Sequence, residues 1–167
     1  MSIVTEVPVE NFAAAPAQSF VLLRLGERRF AVPASQVAEL VAPSRIFHFP
    51  HKTPELEGVI LRRGRMIPVC DVAERLTGKK LDTRRFYLLA TRKYENQMDW
   101  IAIPVSGECE LINVEIMEAS PTDSPHVDGW LSFGGEVIEV LRLSALTPGP
   151  ADGSLPAPLR DFAEARS

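Results

Sequence analysis

The sequence predicts a mostly β, barrel-like protein with few short helices, and three observations carry that expectation. Its apolar runs, such as FVLL, RFYLLATR, WIAIPV and VIEVL, are strand-sized. Glycine-centred turns at Gly26, Gly64 and Gly134-Gly135 recur between them. Helical periodicity is confined to brief stretches such as Val72, Ala73 and Leu76. Many short strands with frequent turns favour small barrels over a sandwich or an α/β sheet. No repeat of fixed period is visible in the sequence.

The 167 residues suit one domain, or two small subdomains around one core. With a net charge of -4, nucleic acid is a poor default partner. Cys70 and Cys109 do not make a disulfide framework, and Cys70, within an apolar run, reads as a core thiol of a reducing compartment. The first residues have no basic region followed by a long apolar one, and no later run approaches a membrane span. A cytoplasmic location is expected.

Residues 1–18 mix Ala, Pro and acids without a period and read as a flexible arm. Phe20 to Leu25 and Phe30 to Val32 form a first hairpin, which Pro33 ends. Ser35 is expected to cap a helical turn through Val37 and Ala38, with extended chain at Leu40, Val41, Ile46, Phe47 and Phe49. Pro43, Pro50 and Pro54 punctuate that stretch.

From Glu55 to Leu76 a strand through Gly58, Val59 and Ile60 turns at Arg62, Arg63, Gly64 and Arg65. It returns through Met66 to Cys70, and Asp71 caps a short helix that Gly78 ends. Arg85 to Thr91 and Trp100 to Val105 pair next; Pro104 predicts an edge or a bulge there. Cys109 to Val114 is another strand, and Gly129 to Leu141 is a last hairpin turning at Gly134-Gly135. Leu143 to Leu146 gives a terminal helical turn. Residues 147–167 read as a Pro/Gly-rich linker with a marginal tail helix over Leu159 to Ala165.

The chemistry-bearing residues do not assemble into an active site on paper. Cys70, Asp71, His48, His51 and His126 supply the residue types for a thiol nucleophile, yet no flanking signature supports one. His48 and His51 are separated by Pro50 and lack further ligands at suitable spacing, so no metal is expected. No phosphate-binding glycine loop occurs, and no cofactor is expected. The cluster Arg62, Arg63 and Arg65 is the one distinctive surface feature. A small barrel could use it on an oligonucleotide, but its neighbours are aliphatic rather than stacking aromatics. Taken alone, the hairpin is equally a structural turn and a binding tip.

Four pieces in order, spanning Ser19 to Leu146, resemble the CheW family of chemotaxis adaptors. They are FVLLRLGERRFAVPASQVAEL; RIFHFP with ELEGVILRRGRMIPVCDV; RFYLLATR with IAIPVSGECELINV; and VDGWLSFGGEVIEVLRLSAL. The resemblance implies a 19–146 domain of two small SH3-like five-stranded β-barrels sharing a hydrophobic core. It implies a non-catalytic adaptor coupling the cytoplasmic tip of a methyl-accepting chemoreceptor to a CheA-type histidine kinase at membrane-associated arrays. By motif, Val37, Glu39, Gly58, Arg63 and Gly64 fall on the receptor groove, and a Glu39–Arg63 charge pair is expected there. The chain departs from the family pattern at Leu61-Arg62, which stands where Asn-Leu is usual, and at Pro104, Ser106 and Arg142. These departures leave open whether the output is flagellar, pilus-based or another.

Overall fold

The computed structural model describes residues 17–50, 56–94, 97–118 and 125–146. The expected N-terminal arm, apart from its last two residues, and the expected C-terminal linker and tail lie outside the described residues, as do His51 and Pro54.

In chain order the strands are β1 Gln18–Leu25, β2 Arg28–Pro33, β3 Val37–Val41, β4 Phe47–His48, β5 Leu56–Arg62 and β6 Arg65–Cys70. They continue as β7 Phe86–Tyr94, β8 Gln97–Val105, β9 Glu110–Val114, β10 Met117–Glu118, β11 Val127–Phe133 and β12 Glu136–Leu141. Two short helices follow the β5–β6 and β11–β12 hairpins, α1 at Ala73–Thr77 and α2 at Leu143–Leu146. One six-stranded sheet runs β10-β11-β12-β2-β1-β9, the other β3-β7-β8-β6-β5-β4. Each has five substantial strands and a two-residue one at its edge, which matches the expected pair of five-stranded barrels.

Burial explains why some strands read as continuous apolar runs. β1 sends Phe20 and Leu22 into the first sheet's own core, with Ala31, Leu131, Ile138 and Val140. Its intervening residues Leu23 and Leu25 face a second core, shared between the sheets, with Phe30, Leu88, Ile101, Ile103 and Leu141. β7 does the same in reverse: Tyr87 and Leu89 enter the second sheet's core with Ile60, Ile67, Val69 and Ala102, while Leu88 and Ala90 face the shared one. Strands with both faces covered lose the polar alternation of a half-buried strand. At about 1.5–3 kcal/mol per buried large side chain, the shared core is a major source of stability. β9 touches β11 although three strands separate them in the sheet order, as curling into a barrel requires.

The helix ends follow from their residues. Asp71 accepts the Ala73 N–H at 3.0 Å and so satisfies one orphan donor of α1. Gly78 adopts a left-handed φ of 80°, and its N–H reaches the Glu74 carbonyl at 2.8 Å. Arg84 clamps this corner, donating to Glu57 at 2.6 Å and to Asp71 at 2.8 Å.

Two local expectations are corrected. Ser35 caps nothing: Ala34–Gln36 is a single 3-10 turn with no side-chain cap, and Val37 and Ala38 already belong to β3. Pro104 sits in unbroken register opposite Tyr87, in a strand between β7 and β6 rather than at an edge. The β6–β8 ladder consists of the Val69–Ala102 rung, so at Pro104 there is no second ladder to interrupt.

The register also reveals an internal repeat that the sequence conceals. Pro33 and Pro104, Glu39 and Glu110, Gly58 and Gly129, and Gly64 and Gly135 are each 71 positions apart. The pairing repeats with them: a register shift falls between Leu56 and Gly58 in one hairpin and between Val127 and Gly129 in the other. A side chain at Gly58 would meet the Phe47 carbonyl at 2.4 Å, and one at Gly129 the Met117 carbonyl at 2.3 Å. The halves exchange their first hairpins. β1–β2 joins β9 to β12, and β7–β8 joins β3 to β6.

Candidate docking site at the basic hairpin

The β5–β6 turn has Arg62 opposite Arg65, with Arg63 and Gly64 between them. Arg63 has φ 53° and Gly64 φ 76°. Left-handed backbone at both central residues gives the twist that suits a two-residue hairpin, and glycine satisfies it without strain. Arg63 is the only non-glycine with positive φ among the described residues.

Strand alternation places Arg62 on the side of Ile60, whose side chain fills the second barrel's core. Arg62 therefore lies at the barrel mouth, where it meets Glu39 of β3 from the opposite edge of the sheet order. Its Nε donates to Glu39 Oε2 at 3.3 Å, and its Nη2 donates to Oε1 in a short hydrogen bond. Arg63 Nη2 comes within 3.5 Å of Glu39 Oε1 and is not a hydrogen-bond donor to it at that range. The expected Glu39–Arg63 pair is thus secondary; the close partner is Arg62. Exposure agrees, at 38% for the Arg62 side chain and 77% for that of Arg63.

The electrostatics follow the geometry. Glu39 is held below the usual carboxylate range, mainly by the Arg62 hydrogen bond, against a smaller opposing effect of desolvation and with help from the charges of Arg62 and Arg63. Arg62 is raised in turn by the same hydrogen bond. Arg65 lies over the Trp100 ring, 4.5 Å from its centroid. Two of the three tip arginines therefore have close internal partners, which weakens the case for an oligonucleotide platform.

Glu39, Arg63 and Gly64 are brought together at this tip. Gly58 lies four residues back along β5, buried opposite His48 of β4, where its missing side chain admits the β4 backbone. Val37 is two residues before Glu39, at a register shift against β7, and packs on the shared core. Cys70 is fully buried in that core. Ser106, one of the departures from the family pattern, ties the barrels together: its Oγ accepts the Gly26 N–H at 2.8 Å and donates to the Arg24 carbonyl at 3.1 Å. Arg142 pairs with Asp128 at 2.7 Å.

Sequence reasoning missed Arg62 as the partner of Glu39 and Trp100 as the platform for Arg65. For Arg62 a signal existed, since Gly58, Ile60 and Arg62 alternate onto one face of β5.

The model of the CheW-like domain family matches residues 19–98. A probable chemotaxis protein CheW of Rhizobium etli is 22% identical over 134 residues, covering 77% of this chain and 86% of that protein. The crystal structure of scaffolding protein TtCheW from Thermoanaerobacter tengcongensis superimposes with a TM-score of 0.67 at 22% identity, covering 83% of this chain and 92% of that one. With the ordered motifs and the two exchanged barrels, the chain is similar to the CheW-like domain family over residues 19–98 and has the fold of a CheW scaffolding protein.

Proposed function

We propose that this chain is a non-catalytic adaptor of chemosensory signalling, coupling the cytoplasmic tip of a methyl-accepting chemoreceptor to a CheA-type histidine kinase. The observation that carries this reading is the meeting of Glu39, Arg63 and Gly64 at one exposed hairpin tip of a CheW-like fold. Val37, Glu39, Gly58, Arg63 and Gly64 form the receptor-facing set, with Gly58 and Val37 shaping the strands that carry the charged pair. An adaptor also needs two surfaces. Exposed apolar side chains occur on both barrels, at Leu40, Phe47 and Leu61 on one and at Leu111, Met117 and Val137 on the other. Such a protein binds without making or breaking covalent bonds, and the burial of Cys70 removes the one candidate nucleophile from solvent. Among the described residues no helix is long and apolar enough to cross a membrane, which suits a cytoplasmic protein drawn to receptor arrays by its partners. A flagellar, a pilus-based or another output fits equally.

Co-sedimentation tests the reading directly. The chain should pellet with receptor-containing membranes and, in their presence, carry down the regulatory domain of the histidine kinase encoded beside it. Binding to neither partner would remove the adaptor assignment.

A further inference from the structure

Building on the adaptor reading, we propose that the two adjacent arginines have separate roles. Arg62 positions Glu39 and closes the barrel mouth, while Arg63 is presented to a carboxylate on the partner protein.

The internal repeat supplies the first argument. The residue 71 positions after Arg62 is Phe133, which packs against the first barrel's core. This position is a plug in both barrels, apolar in one and an ion pair in the other. Arg62 uses two donors on the two oxygens of Glu39, a bidentate arrangement that fixes both side chains.

The second argument is the turn. Gly134 and Gly135 hold φ 60° and 79° in the equivalent hairpin, against 53° and 76° for Arg63 and Gly64. The backbone is the same in both, and glycine serves it in the first barrel. Arg63 therefore opposes the preference of its own turn, and the gain must come from its side chain. A left-handed non-glycine residue at an exposed tip points to function rather than to folding.

The third argument is charge. Arg65 is stacked on Trp100, and Glu39 is already matched by Arg62. Arg63, 77% exposed and 3.5 Å from Glu39, is the tip guanidinium left available to a partner. Its complement is an acidic side chain, and a partner carrying a neutral or basic one there would be rejected. Arg62 thus acts on specificity at second hand: without it Glu39 would capture Arg63.

The test uses the full chain and, as probe, a soluble signalling-tip fragment of a chemoreceptor encoded with it, titrated at low and high salt. Arg63→Gly should weaken binding roughly tenfold, flatten its salt dependence and raise the melting temperature. Arg62→Gln should also weaken binding, and Arg62→Lys, which keeps a cation beside Glu39, should weaken it less, because Arg63 stays released. Unchanged binding by Arg63→Gly, or equal losses for Arg62→Gln and Arg62→Lys, would overturn the division of roles. If the unaltered chain does not bind the fragment, the receptor reading fails and the Arg63 contact with it. The positioning role is decided separately by following the Glu39 carboxyl by NMR. Arg62→Gln should move its titration up towards the ordinary range, and Arg63→Gly should move it less; the reverse order overturns the assignment.

Discussion

The two barrels use one scaffold for two different hairpin tips. In the first, Phe133 plugs the mouth, Gly134-Gly135 makes the turn, and Glu136 pairs with Arg29 at 2.6 Å. In the second, Arg62 fills the same position, Arg63-Gly64 makes the turn, and Arg65 replaces the acid. The buried framework stays the same. Ala31 and Ala102, Ile138 and Ile67, and Val140 and Val69 fill corresponding core positions. The difference teaches that the β5–β6 tip is not chemically dictated by its turn, since a glycine-rich, acid-flanked version of the same turn exists in the same molecule.

The strongest way to break this comparison is at the glycines under the short edge strands. Gly58→Ala and Gly129→Ala each bring a methyl group against a backbone carbonyl. Each should destabilise by about 1–3 kcal/mol, the usual range for overpacking, measured by denaturant unfolding. If one is tolerated and the other is not, the halves are equivalent in topology only.

A smaller effect sharpens the contrast between the turns. Arg63→Gly should stabilise the protein by about 1 kcal/mol, and Gly134→Arg should destabilise it by about the same amount, through the left-handed backbone alone. Equal melting temperatures for all three proteins would show that neither turn feels its residue.

The smallest effect is on pH dependence. The folded state holds Glu39 below its unfolded range, so this carboxylate adds stability above its unfolded pKa that is lost as pH falls through the folded one. Arg62→Gln should flatten that acid limb, because it removes the hydrogen bond that chiefly lowers Glu39. Thermal melts across the acid range would show the difference.

Much of this was legible in the sequence, and the gaps have physical causes. The basic hairpin, the Asp71 cap, the Gly78 terminus and the Gly134-Gly135 turn all announce themselves through residues whose local chemistry suits one conformation. β3 did not, because a half-buried edge strand of five residues, with prolines before and after, carries little periodic signal. The identity of the partner of Glu39 depended on which way two neighbouring arginines point, and strand pleat and turn conformation decide that, not spacing. The repeat was hidden because equivalent positions conserve burial more than residue type: Tyr87 answers Phe20, and Ile60 answers Leu131.

The exchange of hairpins between halves governs how the chain can fold as it is made. β3 finds its neighbour in β7, β6 its outer neighbour in β8, and β1 its outer neighbour in β9. On a ribosome the first half emerges with these strand edges unpaired, and neither barrel can close until the second half follows. Folding must therefore wait for most of the domain, and the interval leaves apolar strand edges open to other chains.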